Sequence, residues 1–492
     1  MRFTRRDFLE LSAFSGAGSL LGLFPSATAE EARVKQEAVR FRPEIEPLVR
    51  FLEETSRERL LEEMGAKIKS GTTCQDVITA LFLAGIRNIQ PRPVGFNFHA
   101  VLVVNSAYKA SLNSRDSDRW LPVFWALDHF KARQVQDFGQ SDWTMEPVKE
   151  PTVIATDKSA AAFEAAMNDW DLEKADGAAA GMARGTGTQR IFDLLCRYGT
   201  RDYRYIGHKA IYVANGWRTL QTIGWQHAEP VLRSLAYALL AYQGEVPTTR
   251  DATVDRPGKV NLQRVKEIRE SWLSGTRDPA VTQDLLATLR SGTWDDASRK
   301  AVELLNRGSG PLALWDAFFL ASSELLMRSA NIFSLHACTT INALHYAWLH
   351  CSDDETRRFM LLQTASFLPF FREDAEAKAG VEIDRFEPWA ETDVGLDSIF
   401  SDLTSDPQKA SRKALAFLQS GGDARAFTDT AQRLVYLKGD DAHDYKFSAA
   451  VFEDLQFLPP GTRDRFLAAS VFALKGTSAA DSQIVARTRA VL

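Results

Sequence analysis

Residues 332–349 read IFSLHACTTINALHYAWL. Apolar side chains recur there every three to four residues, the period of an α-helix with a buried face. The same spacing returns at 48–68, 77–86, 232–241, 312–327, 357–371 and 463–474. Ala, Leu, Glu and Arg dominate these stretches, and all four are strong helix formers. Runs of alternating β-branched residues bounded by hairpin turns are scarce. The best strand candidate, Val101–Val104, itself sits inside a plausible helix. These patterns predict an all-α protein, with one large multi-helix domain over residues 30–492.

Breaks in the pattern are rich in Pro, Gly or Asp, at 90–96, 177–188, 244–259 and 373–397, and are expected as loops. The stretch 244–259 allows a division into two helical halves, and one continuous body is equally allowed. Gly185-Thr186-Gly187-Thr188 lacks the Gly-Lys-Ser/Thr ending of a phosphate loop and is expected as a flexible connection.

The N-terminus carries Thr4-Arg5-Arg6-Asp7-Phe8-Leu9, a weakly apolar run from Leu11 to Phe24, and Pro25-Ser26-Ala27-Thr28-Ala29. Paired arginines, a short apolar run and an A-x-A site in that order predict a twin-arginine signal peptide over residues 1–29. The mature chain is then expected in the periplasm or secreted, with the twin-arginine translocase as a transient partner. That route carries folded proteins, often with a cofactor already loaded. The apolar run is too short for a stable membrane span, and no second one follows.

The net charge of −5 comes from interleaved charges of both signs. No basic stripe suggests nucleic acid. The cysteines Cys74, Cys196, Cys338 and Cys351 form no C-x-x-C pattern, so covalent haem and zinc-knuckle sites are unsupported. No flavin or nicotinamide fingerprint and no G-x-S-x-G elbow is present.

Of the eight histidines, four stand in apolar segments with polar companions on the same helical face. His99 opens Phe98-His99-Ala100-Val101. His208 follows Gly207, with Tyr212, Asn215 and Thr219 at helical spacing below it. His336 is followed one turn on by Thr339 and Thr340. His443 precedes Lys446 at i+3, so both side chains leave one face. Polar groups on a buried stripe need partners, and either a shared metal or a hydrogen-bond network supplies them. Helix geometry sets His345 nearly opposite His336, and His350 roughly 21 Å along the axis. His227 begins the next helix; in an antiparallel hairpin the two starts lie roughly 24 Å apart. His129, in Asp128-His129-Phe130-Lys131, reads as a surface residue. A lysine buried among apolar residues loses its proton readily. Neutral Lys446 can then add carbon dioxide to give a carbamate; the alternative is a side chain that snorkels to the surface.

Gly207-His208 opening a helix, His336-Ala337-Cys338-Thr339-Thr340 with Asn342-Ala343, and His443-x-x-Lys446 resemble the questin oxidase-like family, with His99 in a fourth, weaker block. The blocks follow in order along the mature chain but are short and scattered. The resemblance implies an all-α enzyme that oxidatively opens aromatic polyketide rings with O2. It also implies non-haem iron(II) held by His99, His208, His336, His443 and a carboxylated Lys446. Some family members carry a further histidine four residues after the Gly-His, where this chain has Tyr212. Tyr212 and Asn215 are then expected to orient the centre. Trp217, Trp225 and Trp348 would line an aromatic pocket, or else pack the core. A zinc hydrolase on the same His/Lys set and a non-catalytic helical periplasmic binding protein are the competing readings.

Overall fold

The computed structural model describes residues 37–391 and 394–492. The leader expected at residues 1–29 lies outside them. Among the described residues every regular element is helical, as the spacing predicted, and the one bridge pairing joins Thr276 to Ser309.

The helix Ile332–His350 is the central column. Asn331 starts it: its side chain accepts from the Phe333 and Ser334 amides at 3.0 and 3.2 Å, and Ser334 Oγ accepts from the Asn331 amide at 3.1 Å. This reciprocal cap satisfies amides that have no partner within the helix. The column is buried on nearly all sides until Leu349, as a helix that is apolar all round must be. Helices His208–Ile223, Pro311–Arg328, Asp354–Asp374 and Ala442–Asp454 all pack on it. Helix Val104–Asn113 closes the gap between His208–Ile223 and Ala442–Asp454. One apolar cluster runs from Ile45 to Val485, on both sides of residues 244–259.

Two local expectations need correction. Residues 177–188 are not a loop: helix Leu172–Gly185 runs through most of them, and the next helix begins at Thr188. A Cβ on Gly177 would lie 2.2 Å from the Thr152 carbonyl oxygen. Glycine there admits a neighbouring backbone and does not break the helix. Val101–Val104 lies in helical chain, as its setting predicted, split between His99–Leu102 and Val104–Asn113. Within 244–259, residues from Thr253 onward are already helical, and the Tyr203 amide donates to the Val254 carbonyl at 3.2 Å.

One buried ion pair ties helix Glu46–Glu54 to helix Cys74–Asn88. The Arg87 guanidinium donates to both Glu53 carboxylate oxygens at 2.8 and 2.6 Å, and neither residue is exposed to solvent. Burial still pushes the Glu53 carboxyl above its ordinary range, so the pair is held against a desolvation penalty. Arg87→Met is expected to destabilise the fold by about 3–5 kcal/mol, because it strands Glu53 without a counter-charge. Urea unfolding should show this as a lower midpoint with an unchanged slope.

Candidate metal centre

Each of the four histidines is placed by a helix start or the central column. His99 is the first residue of His99–Leu102, directly after the turn Phe96–Phe98. His208 is the first of His208–Ile223. His336 stands one turn into the column, and His443 is the second residue of Ala442–Asp454. His208 depends on an unusual approach. Tyr205, Ile206 and Gly207 take φ of +56°, +49° and +81° in succession. Left-handed backbone at a β-branched residue costs about 1–3 kcal/mol and persists only where surroundings over-determine it. Gly207 is also pressed onto the column, where a Cβ would fall 2.1 Å from Thr340 Oγ1.

The strained strap turns a carbonyl onto a ring: His208 Nδ1 lies 2.6 Å from the Tyr205 oxygen. The other rings are held in the same way. His99 Nδ1 is 2.8 Å from the Phe96 oxygen, and His336 Nδ1 is 2.7 Å from the Ile332 oxygen. His443 Nδ1 meets the carboxylate of Asp441. A carbonyl or carboxylate oxygen only accepts, so Nδ1 carries the proton in all four rings. Each Nε2 is therefore left with a bare lone pair.

Those lone pairs converge. His208 Nε2 lies 3.0 Å from both His99 Nε2 and His336 Nε2. The His443 ring centroid lies 4.5 Å from that of His99 and 4.9 Å from that of His336, and its buried Nε2 has no hydrogen-bond partner among the described residues. Two lone pairs facing at 3.0 Å repel unless a positive centre lies between them. Moving a proton from Nδ1 to Nε2 would only leave two acceptors facing at the other end of the ring. Extra protonation is opposed by burial, which holds His99, His208 and His336 well below the ordinary imidazole pKa. A cation resolves the conflict. The ligand atoms of His99, His208 and His336 all lie within 4.8 Å of one another. Two separations of 3.0 Å match donors at right angles about 2.1 Å from one ion, a normal metal–imidazole bond length.

Lys446 completes the cluster. It is 3% exposed, and its Nζ has no hydrogen-bond partner among the described residues. Burial pulls its pKa down to about 7, so a neutral amine is readily reached. It borders a cavity of about 10 Å3, room for roughly one water, shared with Asn105, Asn215, Thr339, Asn342 and Glu453. Asn215 Nδ2 donates to the Leu102 carbonyl at 3.1 Å, which places it in this polar wall beside Lys446. Tyr212 is committed elsewhere: its hydroxyl donates to Ser234 Oγ at 2.8 Å, and its ring meets the Phe98 ring.

The sequence reading passed over Asp441. It caps helix Ala442–Asp454 by accepting from the His443 amide at 2.7 Å, and the same carboxylate grips the His443 ring. Its position two residues before the histidine, at a helix start, was the available signal. His129 is a correction. It is buried, not superficial, and stacks on Trp125 with centroids 4.7 Å apart. His345 is enclosed by Trp315, Phe319, Trp348 and Phe457. His350 is exposed, and His227 lies near Arg42 and Glu44. Trp217 packs on Phe192 and Trp225, and Trp348 packs on Trp272 and Trp315.

The buried neutral histidines have a consequence for metal-free protein. Below about pH 6.5 the unfolded chain takes up protons that the folded cluster refuses, so stability falls as pH falls. The melting temperature of chelator-treated protein should drop from pH 7 to pH 5, and His336→Gln should make that drop shallower. A flat profile would mean that the rings protonate freely in the folded state. No family model, curated protein or solved structure matches this chain.

Proposed function

We propose that this protein is a metal-dependent oxidoreductase, a non-haem iron oxygenase acting on an aromatic small molecule. The observation that carries the reading is the convergence of bare imidazole nitrogens on one buried point, with a partnerless lysine amine beside it. Imidazole nitrogen with one anionic oxygen ligand suits iron(II). The two 3.0 Å separations from His208 Nε2 match donors at right angles better than tetrahedral ones, which favours a centre with open positions. The resemblance of the Gly207-His208, His336-Ala337-Cys338 and His443-x-x-Lys446 blocks to ring-opening oxygenases points the same way.

His99, His208 and His336 would hold the ion, with His443 beside them. When bound, iron(II) supplies the means to activate O2 for attack on an electron-rich ring. The protein's own residues do the rest. The Tyr205, Phe96 and Ile332 carbonyls and the Asp441 carboxylate fix each ring's tautomer and angle. Such outer partners tune both affinity and orientation. Neutral Lys446 Nζ adds to the carbon of CO2, forms an N–C bond and releases one proton to solvent. The resulting carbamate provides the anionic oxygen. The starts of helices His208–Ile223 and Ala442–Asp454 carry partial positive charge, which favours neutral imidazole and an anion over imidazolium. The leader read at residues 1–29 would deliver the protein already folded to the periplasm.

Metal analysis of the exported protein tests the reading. Iron at one per chain is expected, lost in His208→Ala and in His336→Ala, with O2 uptake on an aromatic substrate. Stoichiometric zinc without O2 uptake would favour a hydrolase. Folded, metal-free protein would favour a binding role. Lys446→Ala activity should return in part when a short carboxylate such as acetate is added, and no recovery at any concentration would remove the carbamate.

A further inference from the structure

A second feature adjoins the histidines from outside. The strap that holds His208 is also the wall of a cleft of about 420 Å3, within the size range of small-molecule sites. Tyr205 belongs to both: its carbonyl grips His208 Nδ1, and its ring lines the cleft. The opposite edge of the cleft, Gln90, Arg92 and Pro93, leads within two residues to Gly95. A Cβ on Gly95 would stand 3.3 Å from the His208 ring. Two segments that line the cleft, at 90–93 and at Tyr205, thus lead directly to His208.

Its lining is aromatic and cationic. Trp143, Tyr205, Tyr237 and Tyr242 supply four rings. Trp143 and Tyr237 meet edge-on at 6.2 Å, and Tyr242 stands edge-on to Trp170 at 5.7 Å. The Arg92 guanidinium sits 5.5 Å from the Tyr242 ring centroid. Arg92 has no carboxylate partner among the described residues, whereas Arg201, Arg204 and Arg233 all face aspartates. Nor do the Tyr237 and Tyr242 hydroxyls have hydrogen-bond partners among those residues. No carboxylate lines the cleft. Ring faces accept planar π-systems, and an unpaired guanidinium accepts a carboxylate or phenolate in bidentate fashion.

We propose that this cleft binds a planar aromatic anion, stacked among Trp143, Tyr237 and Tyr242 with its charged group on Arg92. As the substrate site of the oxygenase, it rests on the function proposed above. As a binding site it needs no metal. The Tyr205-Ile206-Gly207 strap is then the element through which a bound molecule meets His208.

Anthracene-2-carboxylate and its neutral carboxamide are suitable probes, titrated into the purified full-length chain with and without chelator and followed by fluorescence. The acid is expected to bind at least about tenfold more tightly than the amide. Arg92→Gln should remove that difference and leave amide binding unchanged, while Tyr242→Ala should weaken both. Helix content and melting temperature serve as folding controls for each variant. Equal binding of acid and amide, or an Arg92→Gln variant that still prefers the acid, overturns the proposal. His208→Ala separates the two readings. Probe binding that survives in this variant shows that the cleft works without the metal centre, and probe binding by wild-type protein that carries no iron after export leaves the cleft and removes the oxygenase. An iron-loaded protein that binds neither probe does the reverse.

Discussion

The structure depends on where four protons sit. An oxygen acceptor claims the Nδ1 proton of His99, His208, His336 and His443 in turn, so every Nε2 presents a lone pair. Three of those nitrogens then stand at hydrogen-bonding distance with no hydrogen to share. Packing alone would not hold such an arrangement, because each contact is repulsive between neutral rings. The surrounding backbone has to enforce it, and it does so at a price in strain at Tyr205 and Ile206.

Burial sharpens that demand. Desolvation drives both the imidazoles and Lys446 toward their neutral forms. Neutral nitrogen donors in a low-dielectric pocket are poor hydrogen-bond partners for one another and good ligands for a cation. Asp441 shows the economy of the design. One carboxylate both caps the helix and orients the His443 ring, so helix stability and site geometry are coupled through a single side chain.

The strap Tyr205–Gly207 links the two halves of the functional argument. It holds a ring of the cluster through Tyr205's carbonyl, and Tyr205's own ring shapes an aromatic cleft whose guanidinium has no carboxylate partner among the described residues. Its left-handed backbone leaves little freedom to relax without moving His208, because Gly207 is wedged against Thr340. A molecule seated in the cleft therefore acts on the same few backbone atoms that set the His208 tautomer.

Helix class was legible in the sequence because period and propensity are local properties, and the column at 332–350 carries both along its whole length. The histidines that open helices were legible for the same reason: a glycine before His208 and an i+3 partner after His443 are short-range signals. Helical geometry also separated His345 and His350 from His336. What spacing could not give was convergence. Residues 99, 208, 336 and 443 are brought together by the docking of separate helices on one column, and no local pattern encodes that meeting. The same limit explains the misplaced details. By spacing Gly177 reads as a chain break, but it admits the Thr152 carbonyl; by its charged neighbours His129 reads as solvated, but Trp125 stacks on it. Glycine tolerates both loops and close approach, and charged neighbours in sequence do not report burial. Only the tertiary structure decides between those alternatives, because both depend on which distant segment arrives opposite.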